Sequence, residues 1–591
     1  MAEKLVNLTI NGKEVKSKSS NTILQAAKDN NIYIPSLCYL EGIHQFGGCR
    51  MCMVEIEGMR TLAASCITPV KEGMVIQTNS ARVRHARKIN CELILSNHPQ
   101  DCLSCPRSGS CELQSLAKQL NITKLRFKDA SFPDKIDMSP SITRDMSKCI
   151  LCRRCISVCN SIQKIGILNA QNRGYNTIVG PLEGQSINDV ACTNCGQCVI
   201  VCPVNALSET SSIQQVWDAI NDPNKRVVVQ VAPAVRVSIG EEFGLPVGTS
   251  VTGKLASALK ELNFDDVFDT NFAADLTIME EGSEFLARAK AVLTGGKAVL
   301  PMLTSCSPGW IKFLEHEFPD FIPNLSTCKS PHTMLGAMVK SYYTEKLAID
   351  PKDIYMVSVM PCTAKKFEIV RPEMQNDGLP NVDAVITTRE LARMIREAGI
   401  DFVNLKDSDF DAPMGISSGA GDIFGSTGGV MEAALRTVYE LVTGRELPFD
   451  KLHVTPLATD EQIKQAEITF ENCLPAYSFL EGFTVKVAVT SGLAGARKLM
   501  EVIASGKNEF HFIEVMGCPG GCIVGGGQPR SDAPNVWQAR RDAIIGEDEH
   551  KKLRKSHENP AIQKLYDEYL LEPLGHKSHE LLHTTYQERE R

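Results

Sequence analysis

The chain has 591 residues, enough for several domains, and a formal charge of −7 with no long basic run, so nucleic acid is not an expected partner. No stretch of about 18 apolar residues occurs, and the start, MAEKLVNLTINGKEV, lacks a charged-then-apolar signal region, so neither a membrane span nor secretion is expected. Twenty-two cysteines without such a signal, most of them in short metal-ligand spacings, fit a reducing cytoplasm better than a disulfide framework.

Val6, Leu8 and Ile10 alternate, Asn11-Gly12 supplies a hairpin turn, and Val15 resumes on the return strand. From Thr22, ILQAAKDN reads as a short helix with a polar start. Cys38, Cys49, Cys52 and Cys66 follow, spaced C-x10-C-x2-C-x13-C, with Gly47-Gly48 before the close pair. Glycines there let the backbone turn its N–H groups toward inorganic sulfide. The segment resembles a plant-type [2Fe–2S] ferredoxin domain with a longer first gap. That gap is the form seen in the first domain of respiratory complex I's large peripheral subunit and of iron-only hydrogenases. A structural zinc site is the alternative.

Next come His98, Cys102, Cys105 and Cys111, in HPQDCLSCPRSGSC. A lone histidine is usually a solvated or core residue, but this one stands four residues before a C-x2-C-x5-C run. The same two families use one histidine with three cysteines for a [4Fe–4S] cluster. Neutral imidazole in place of thiolate lowers the cluster's negative charge and raises its potential. Cys91 fits no set and is expected in the core.

Cys149, Cys152, Cys155 and Cys159 follow C-x2-C-x2-C-x3-C, and Cys192, Cys195, Cys198 and Cys202 repeat it, with Pro203 closing the second run. In this pattern three cysteines hold one [4Fe–4S] cluster and the fourth reaches across to the other. The expected sets are Cys149, Cys152 and Cys155 with Cys202, and Cys192, Cys195 and Cys198 with Cys159. Paired zinc sites would not need the crossed fourth cysteine.

After about residue 210, short apolar runs alternate with helical segments: VVVQV (227–231), AVLPML (298–303), IYMVSVM (354–360), VKVAV (485–489) and FHFIEVM (510–516). Such runs read as buried strands of an α/β domain. Several end at a cysteine or proline motif, and strand C-termini are the usual place for a site in such folds. Neither a Walker A motif nor G-x-G-x-x-G is present, and the glycines of GAGDIFGSTGG (419–429) have the wrong spacing for a dinucleotide.

MPCTAKKFE (360–368) matches MPCxxKxxE, EVMGCPGGCIVGGGQP (514–529) matches ExMxCxxGCxxGGGxP, and TSCSPGW (304–310) nearly matches TSCCPxW. Together these resemble the three signatures of the active-site domain of [FeFe]-hydrogenases, and the four N-terminal clusters extend the resemblance over the whole chain. The resemblance implies an H-cluster, a [4Fe–4S] cubane joined through a cysteine to a diiron unit with CO, CN⁻ and azadithiolate. Cys362 and Cys518 would ligate the cubane and Cys522 would bridge the two parts. Lys365 would donate a hydrogen bond to one cyanide, with Ala232 and Pro233 at the other. Met360, Met516, Phe424 and Pro331 would form an apolar cage.

One position departs from the family. The first signature carries adjacent cysteines, a proton relay and then a cubane ligand; here Cys306 falls at the relay position and Ser307 at the ligand position. Cys306 swinging in as ligand with Ser307 relaying protons is one arrangement, an alkoxide ligand from Ser307 another, and a weakened site a third. Ligand softness favours Cys306. Glu281, Glu284, Arg288 and Ser326 stand where the family places its relay to the surface, although adjacent glutamates in MEEGSEF also suit a solvated helix face. Cys328 and Cys473 match no ligand position and are expected to be structural.

The expected architecture is multidomain, α+β and α/β. It comprises a β-grasp [2Fe–2S] domain (1–80), a one-histidine/three-cysteine [4Fe–4S] domain (81–138) and a bacterial 2[4Fe–4S] ferredoxin domain (139–210). An α/β H-cluster domain (211–530) and a helical tail (531–591) follow, the tail resembling a small subunit that is separate in some relatives. The expected activity is 2H⁺ + 2e⁻ ⇌ H2, in a cytoplasmic enzyme that needs maturation enzymes. Electrons would pass to ferredoxin or to flavin- and NAD(P)-binding partner subunits. A hydrogen sensor, a cluster-assembly protein or a complex I-like electron carrier are the alternatives of another class.

Overall fold

The structure, a computed structural model, describes residues 4–127, 136–182, 185–448, 454–457 and 460–590, and elements and absences are counted among these. The chain divides into two compact units, Met1–Val190 with Val201–Ser208, and Ala191–Ile200 with Glu209–Arg591.

In the first unit a five-stranded sheet runs in the order Lys13–Lys18, Leu5–Ile10, Val75–Gln77, Met53–Ile56, Ala63–Ala64. The opening hairpin pairs Leu8 with Val15. Its turn places Asn11 (φ 51°) and Gly12 (φ 79°) in the left-handed region that a two-residue hairpin loop demands. Alternation puts Val6, Leu8 and Ile10 on the buried face, where they share a core with Ile23, Leu24, Ala26 and Ala27 of the helix Ile23–Asp29. That helix starts at Thr22, whose hydroxyl and the Gln25 side chain cap each other's backbone N–H groups. The helix Ala81–Leu95 follows and buries Cys91 fully, as expected. Farther along, the hairpin of Ile136–Met138 and Ile142–Asp145 is braced by the buried Arg144–Asp137 ion pair at 2.9 Å.

The second unit contains two larger sheets. One is a parallel four-stranded sheet in the order Asp266–Asp269, Arg226–Val231, Ile354–Met360, Ala384–Thr387. The other runs Met302–Leu303, Phe512–Met516, Thr484–Ser491, Asp460–Thr469, Thr455–Leu457, parallel across its first three strands and antiparallel beyond. The parallel strands are largely buried on both faces, as parallel strands covered by helices must be, whereas the antiparallel Asp460–Thr469 is mostly exposed or half-buried. The strand expected over 298–303 shortens to Met302–Leu303. Pro301 has no N–H to give to a ladder, so pairing starts after it.

Four strands stop where a motif begins: Val231 before Ala232-Pro233, Leu303 before Cys306, Met360 before Cys362, and Met516 before Cys518. Beside them lies the 24-residue helix Thr270–Leu293, most of whose first half is buried. The tail continues with helices Val536–His550, Pro560–Leu565 and His576–Leu582. It is part of the core, because Ile562, Leu565, Leu570 and Leu582 pack with the four-stranded sheet.

Candidate functional site

In the first unit, Cys38, Cys52 and Cys66 are fully buried. Cys38 lies within hydrogen-bonding reach of Cys49 and Cys66, and Cys66 of Cys52, so the four sulfurs converge. The N–H groups of Gly48 and Cys49 point at the Cys38 sulfur, and that of Leu37 at Cys49 Sγ at 3.4 Å. Gly48 is required there, since a Cβ would stand 2.3 Å from the Phe46 ring.

His98, Cys102 and Cys111 line one cavity, and Cys105 faces Cys111. The Nδ1 of His98 is buried with no hydrogen-bond partner among the described residues, which suits a ring nitrogen that ligates a metal. Cys149, Cys152, Cys155 and Cys202 line another cavity, the crossed combination that the repeat spacing predicts. Cys159 belongs to the first unit, and Cys192, Cys195 and Cys198 to the second.

Within the second unit, the four strand ends and the helix starts after them line a cavity of about 90 Å³. Its walls include Ala232, Pro233, Cys306, Ser307, Pro331, Met360, Cys362, Lys365, Phe424, Met516, Cys518 and Cys522. Every residue expected at the cluster or its cage is therefore on one wall or another. The walls are dry: Met360, Phe424 and Met516 are buried. Three thiols stand together and unbridged by disulfides, with Cys518 beside both Cys362 and Cys522. The N–H groups of Ala364 and Lys365 point at Cys362, and that of Gly526 at Cys518, which suits thiolates and cluster sulfur.

Lys365 Nζ is held by Glu368 at 2.8 Å and by the Cys306 carbonyl at 3.1 Å. Glu368 in turn meets His332 Nε2 at 2.8 Å. Burial pushes the Glu368 carboxyl up, but Lys365 and His332 outweigh it and hold it at about 2. Burial, with Lys365 adding to it, pushes His332 down to about 4, so at neutral pH a neutral imidazole faces a carboxylate and a single ammonium. The last Glu of MPCxxKxxE is thus the lysine's anchor, and His332 is a member of the site that sequence reasoning passed over.

Cys306 and Ser307 diverge. The Ser307 hydroxyl accepts the N–H of Gly517 at 3.0 Å, beside Cys518. The strongest charged neighbour of Cys306 is Glu281. The preference for Cys306 as cubane ligand on softness thus meets a backbone that turns Ser307 toward the cysteine loop and Cys306 toward the carboxylates.

Glu281 and Glu284 are not on a solvated face; their exposures are 1% and 7%, and Glu280 beside them is at 0%. Neither carboxylate oxygen of Glu281 has a hydrogen bond among the described residues. Burial, then the charge of Glu284, pushes its carboxyl up to about 8. The Ser326 hydroxyl donates to Glu284 at 2.9 Å, and Arg288 pairs with Glu284 at 2.6 Å. Ser326, Glu284 and Arg288 are thus joined to one another, and Glu281, buried beside Glu284, is the strongest charged neighbour of Cys306.

Two further contacts were not legible in the motifs. Glu514 takes the N–H groups of Gly428 at 2.7 Å and Met431 at 2.8 Å, capping the helix Gly429–Thr443 that follows the lining residues Phe424 and Gly425. The loop Gly525–Gly527 passes so close to the segment 191–200 that a Cβ on Gly526 would lie 2.3 Å from the Cys195 carbonyl. Thr363 adds a hydrogen bond to the Asn194 carbonyl at 2.7 Å. The second half of the cysteine repeat is sewn to the cavity's own loops, and Cys195 is a charged neighbour of Cys518.

Known families match the chain in five places. These are the C-terminal domain of the iron only hydrogenase large subunit over 225–526 and the iron hydrogenase small subunit over 534–589. The others are a 2Fe-2S iron-sulfur cluster binding domain over 3–81, the NADH-ubiquinone oxidoreductase-G iron-sulfur binding region over 87–126 and a 4Fe-4S dicluster domain over 148–206. The NADP-reducing hydrogenase subunit HndD of Solidesulfovibrio fructosivorans is 49% identical, across 99% of this chain and 100% of that protein. Iron hydrogenase 1 of Clostridium pasteurianum is 40% identical, across 98% and 99%. Among solved structures, the apo [FeFe]-hydrogenase HydA1 of Chlamydomonas reinhardtii matches with a TM-score of 0.59 at 47% identity, covering 65% of this chain and 100% of that one.

Proposed function

We propose that this chain, which belongs to the iron-only hydrogenase family and interconverts protons and H2, serves as the hydrogen-handling subunit of an NAD(P)-linked complex. The similarity to a subunit of an NADP-reducing hydrogenase, end to end, supports that placement. The sequence offers no dinucleotide fingerprint, so flavin and NAD(P) sites fall to partner subunits. No helix among the described residues is long and apolar enough to cross a membrane. No disulfide joins any of the 22 cysteines, which suits a reducing cytoplasm.

The single observation that carries the site reading is the convergence of Cys362, Cys518, Cys522 and Lys365 on one dry cavity. Cys362, Cys518 and Cys522 would hold the H-cluster through their thiolates, and maturation enzymes would install its diiron unit. When bound, the H-cluster supplies an open iron position and a pendant amine that part H2 heterolytically. Lys365, fixed by Glu368, presents its ammonium for a cyanide, and Ala232-Pro233 leaves room for the other. Met360, Phe424, Met516 and Pro331 exclude water, which strengthens every charge interaction inside. One [2Fe–2S] and three further [4Fe–4S] clusters feed the site.

Ser307 completes the cubane's ligand set through Oγ, and Cys306 keeps the relay role. The Ser307 hydroxyl is held toward the Cys518 loop by the Gly517 N–H, whereas the strongest charged influence on the Cys306 thiol is Glu281. Protons then pass between Cys306 and Glu281, whose raised pKa keeps a proton available near neutrality, and on through Ser326, Glu284 and Arg288.

Anaerobic purification with the native partner subunits, followed by assay of H2-dependent NAD(P)⁺ reduction, tests the placement. Reduction that requires a co-purifying flavoprotein is the expected result. Full turnover of the isolated chain with ferredoxin, and none with NAD(P)⁺ in any preparation, would replace it with a free-standing ferredoxin enzyme.

A further inference from the structure

Cys328 fits no ligand position, yet it is fully buried beside the relay and three carboxylates, Glu280, Glu281 and Glu284, surround it. Burying so many carboxylates within two turns of one helix is costly unless each has a partner. Glu284 has Arg288. Glu280 has no cation of its own helix; its partners all come from the tail, namely the Tyr566 hydroxyl at 2.6 Å, the Leu574 N–H at 2.8 Å and His583 Nε2 at 3.3 Å.

His583 is the member of this group with two ring nitrogens that can each carry or accept a proton. It is buried at 8% exposure, and its Nδ1 meets the Thr327 hydroxyl at 2.7 Å. The Thr327 backbone N–H is bonded to Glu284 at 3.1 Å, so one residue joins the tail histidine to the relay carboxylate. Donor atoms of Glu284, Cys328 and His583 all lie within 4.8 Å of one another. On the other side, His583 packs against the exposed His579, with ring centroids 4.4 Å apart. A tail that needed only to be pinned has backbone bonds for that purpose, from Lys329 N–H to the Leu582 carbonyl and from Thr584 N–H to the Thr327 carbonyl, both under 3 Å.

We propose that His579 and His583 form a second proton branch, by which the fused tail exchanges protons between solvent and Glu284. His583 takes up a proton from His579, against whose ring it packs, and passes one on toward Glu284, so its net charge is restored after each passage. The remaining gap to Glu284 is closed by one hydrogen-bonded water or a turn of the carboxylate. The groups facing His583 are Glu280, Glu284, Cys328, Thr327 and His579, with Tyr566 behind Glu280 and Arg288 behind Glu284. The branch ends at a member of the relay and so rests on the hydrogenase reading.

The test is the pH profile of H2 evolution by complete, matured protein with excess artificial reductant, for His583→Gln, His583→Ala and the surface variant His579→Gln. His583→Gln is expected to lose turnover by about tenfold on the alkaline side, where protons are scarce, and less on the acid side. His579→Gln should show a smaller loss of the same shape, and added imidazole should restore His583→Ala. Superimposable profiles, or a loss equal at every pH and untouched by imidazole, would overturn the branch. If the His583 variants fail to fold, His579→Gln decides alone, a wild-type profile overturning the proposal. Loss of CO and CN⁻ infrared bands from the parent protein would instead remove the hydrogenase reading itself.

Discussion

The Gly517 N–H donates to the Ser307 hydroxyl at 3.0 Å, and this bond decides which way the altered first signature faces. Gly517 precedes Cys518, so Ser307 is held on the Cys518 side, while Glu281 is the strongest charged influence on the Cys306 thiol. Oxygen is a harder donor than sulfur and favours the oxidised cluster.

Replacing Ser307→Cys should therefore raise the cubane potential, by on the order of tens of millivolts, in an EPR-monitored redox titration. Cys306→Ala should leave that potential in place and lower turnover by about 10²–10⁴-fold, the usual worth of a positioned proton donor. The reverse pattern, a lost cubane signal in Cys306→Ala and none of these effects in Ser307→Cys, would make Cys306 the ligand.

Glu281 gives a linked prediction for stability and pH. Its carboxyl titrates at about 8 in the folded chain, against about 4.3 in an unfolded one. Between those values the folded chain holds a proton that the unfolded chain has released, so this residue's contribution falls as pH rises. Glu281→Gln should raise Tm relative to the parent near pH 8, and match it below about pH 4. Turnover should nonetheless fall by about 10²-fold or more. A variant with unchanged turnover would remove Glu281 from the relay.

Lys365→Ala leaves Glu368 paired with His332 alone and removes the one ammonium in the cavity. The expected result is loss of most CO and CN⁻ infrared intensity after maturation, with the EPR signals of the N-terminal clusters retained. Full band intensity in this variant would mean that the lysine plays no part in holding the diiron unit.

Gly526→Ala places a methyl group 2.3 Å from the Cys195 carbonyl, too close for either backbone to stay where it is. Electron delivery between the Cys192–Cys198 loop and the cavity should slow several-fold, while H2/D2 exchange, which needs no net electron transfer, should persist. Equal losses of both would place the damage at the cavity itself.

That Cys362, Lys365, Cys518 and Cys522 would share one cavity was legible because they lie in short motifs at strand ends. Cys362 with Lys365 and Cys518 with Cys522 each sit within one loop, and spacing in a loop survives into three dimensions. The crossed set of Cys149, Cys152, Cys155 and Cys202 was equally open to reading. Contacts made across the chain were not. His332 meets Glu368, and His583 meets Glu280 some three hundred residues away, with no local signal to mark either. The glutamates of MEEGSEF look solvated in sequence because only the tail, packed over that helix, buries Glu280. The orientation of Cys306 and Ser307 depends on one hydrogen bond to a distant strand end, which spacing does not encode. The strand over 298–303 was read too long because an apolar run was weighed above its proline.

The most direct test of the central claim is the infrared spectrum of the anaerobically purified, matured protein. Sharp CO and CN⁻ bands that shift under H2 are predicted, with Ser307 in place. Their absence, alongside normal EPR signals from the other clusters, would contradict a working H-cluster in the cavity of Cys362, Cys518 and Cys522.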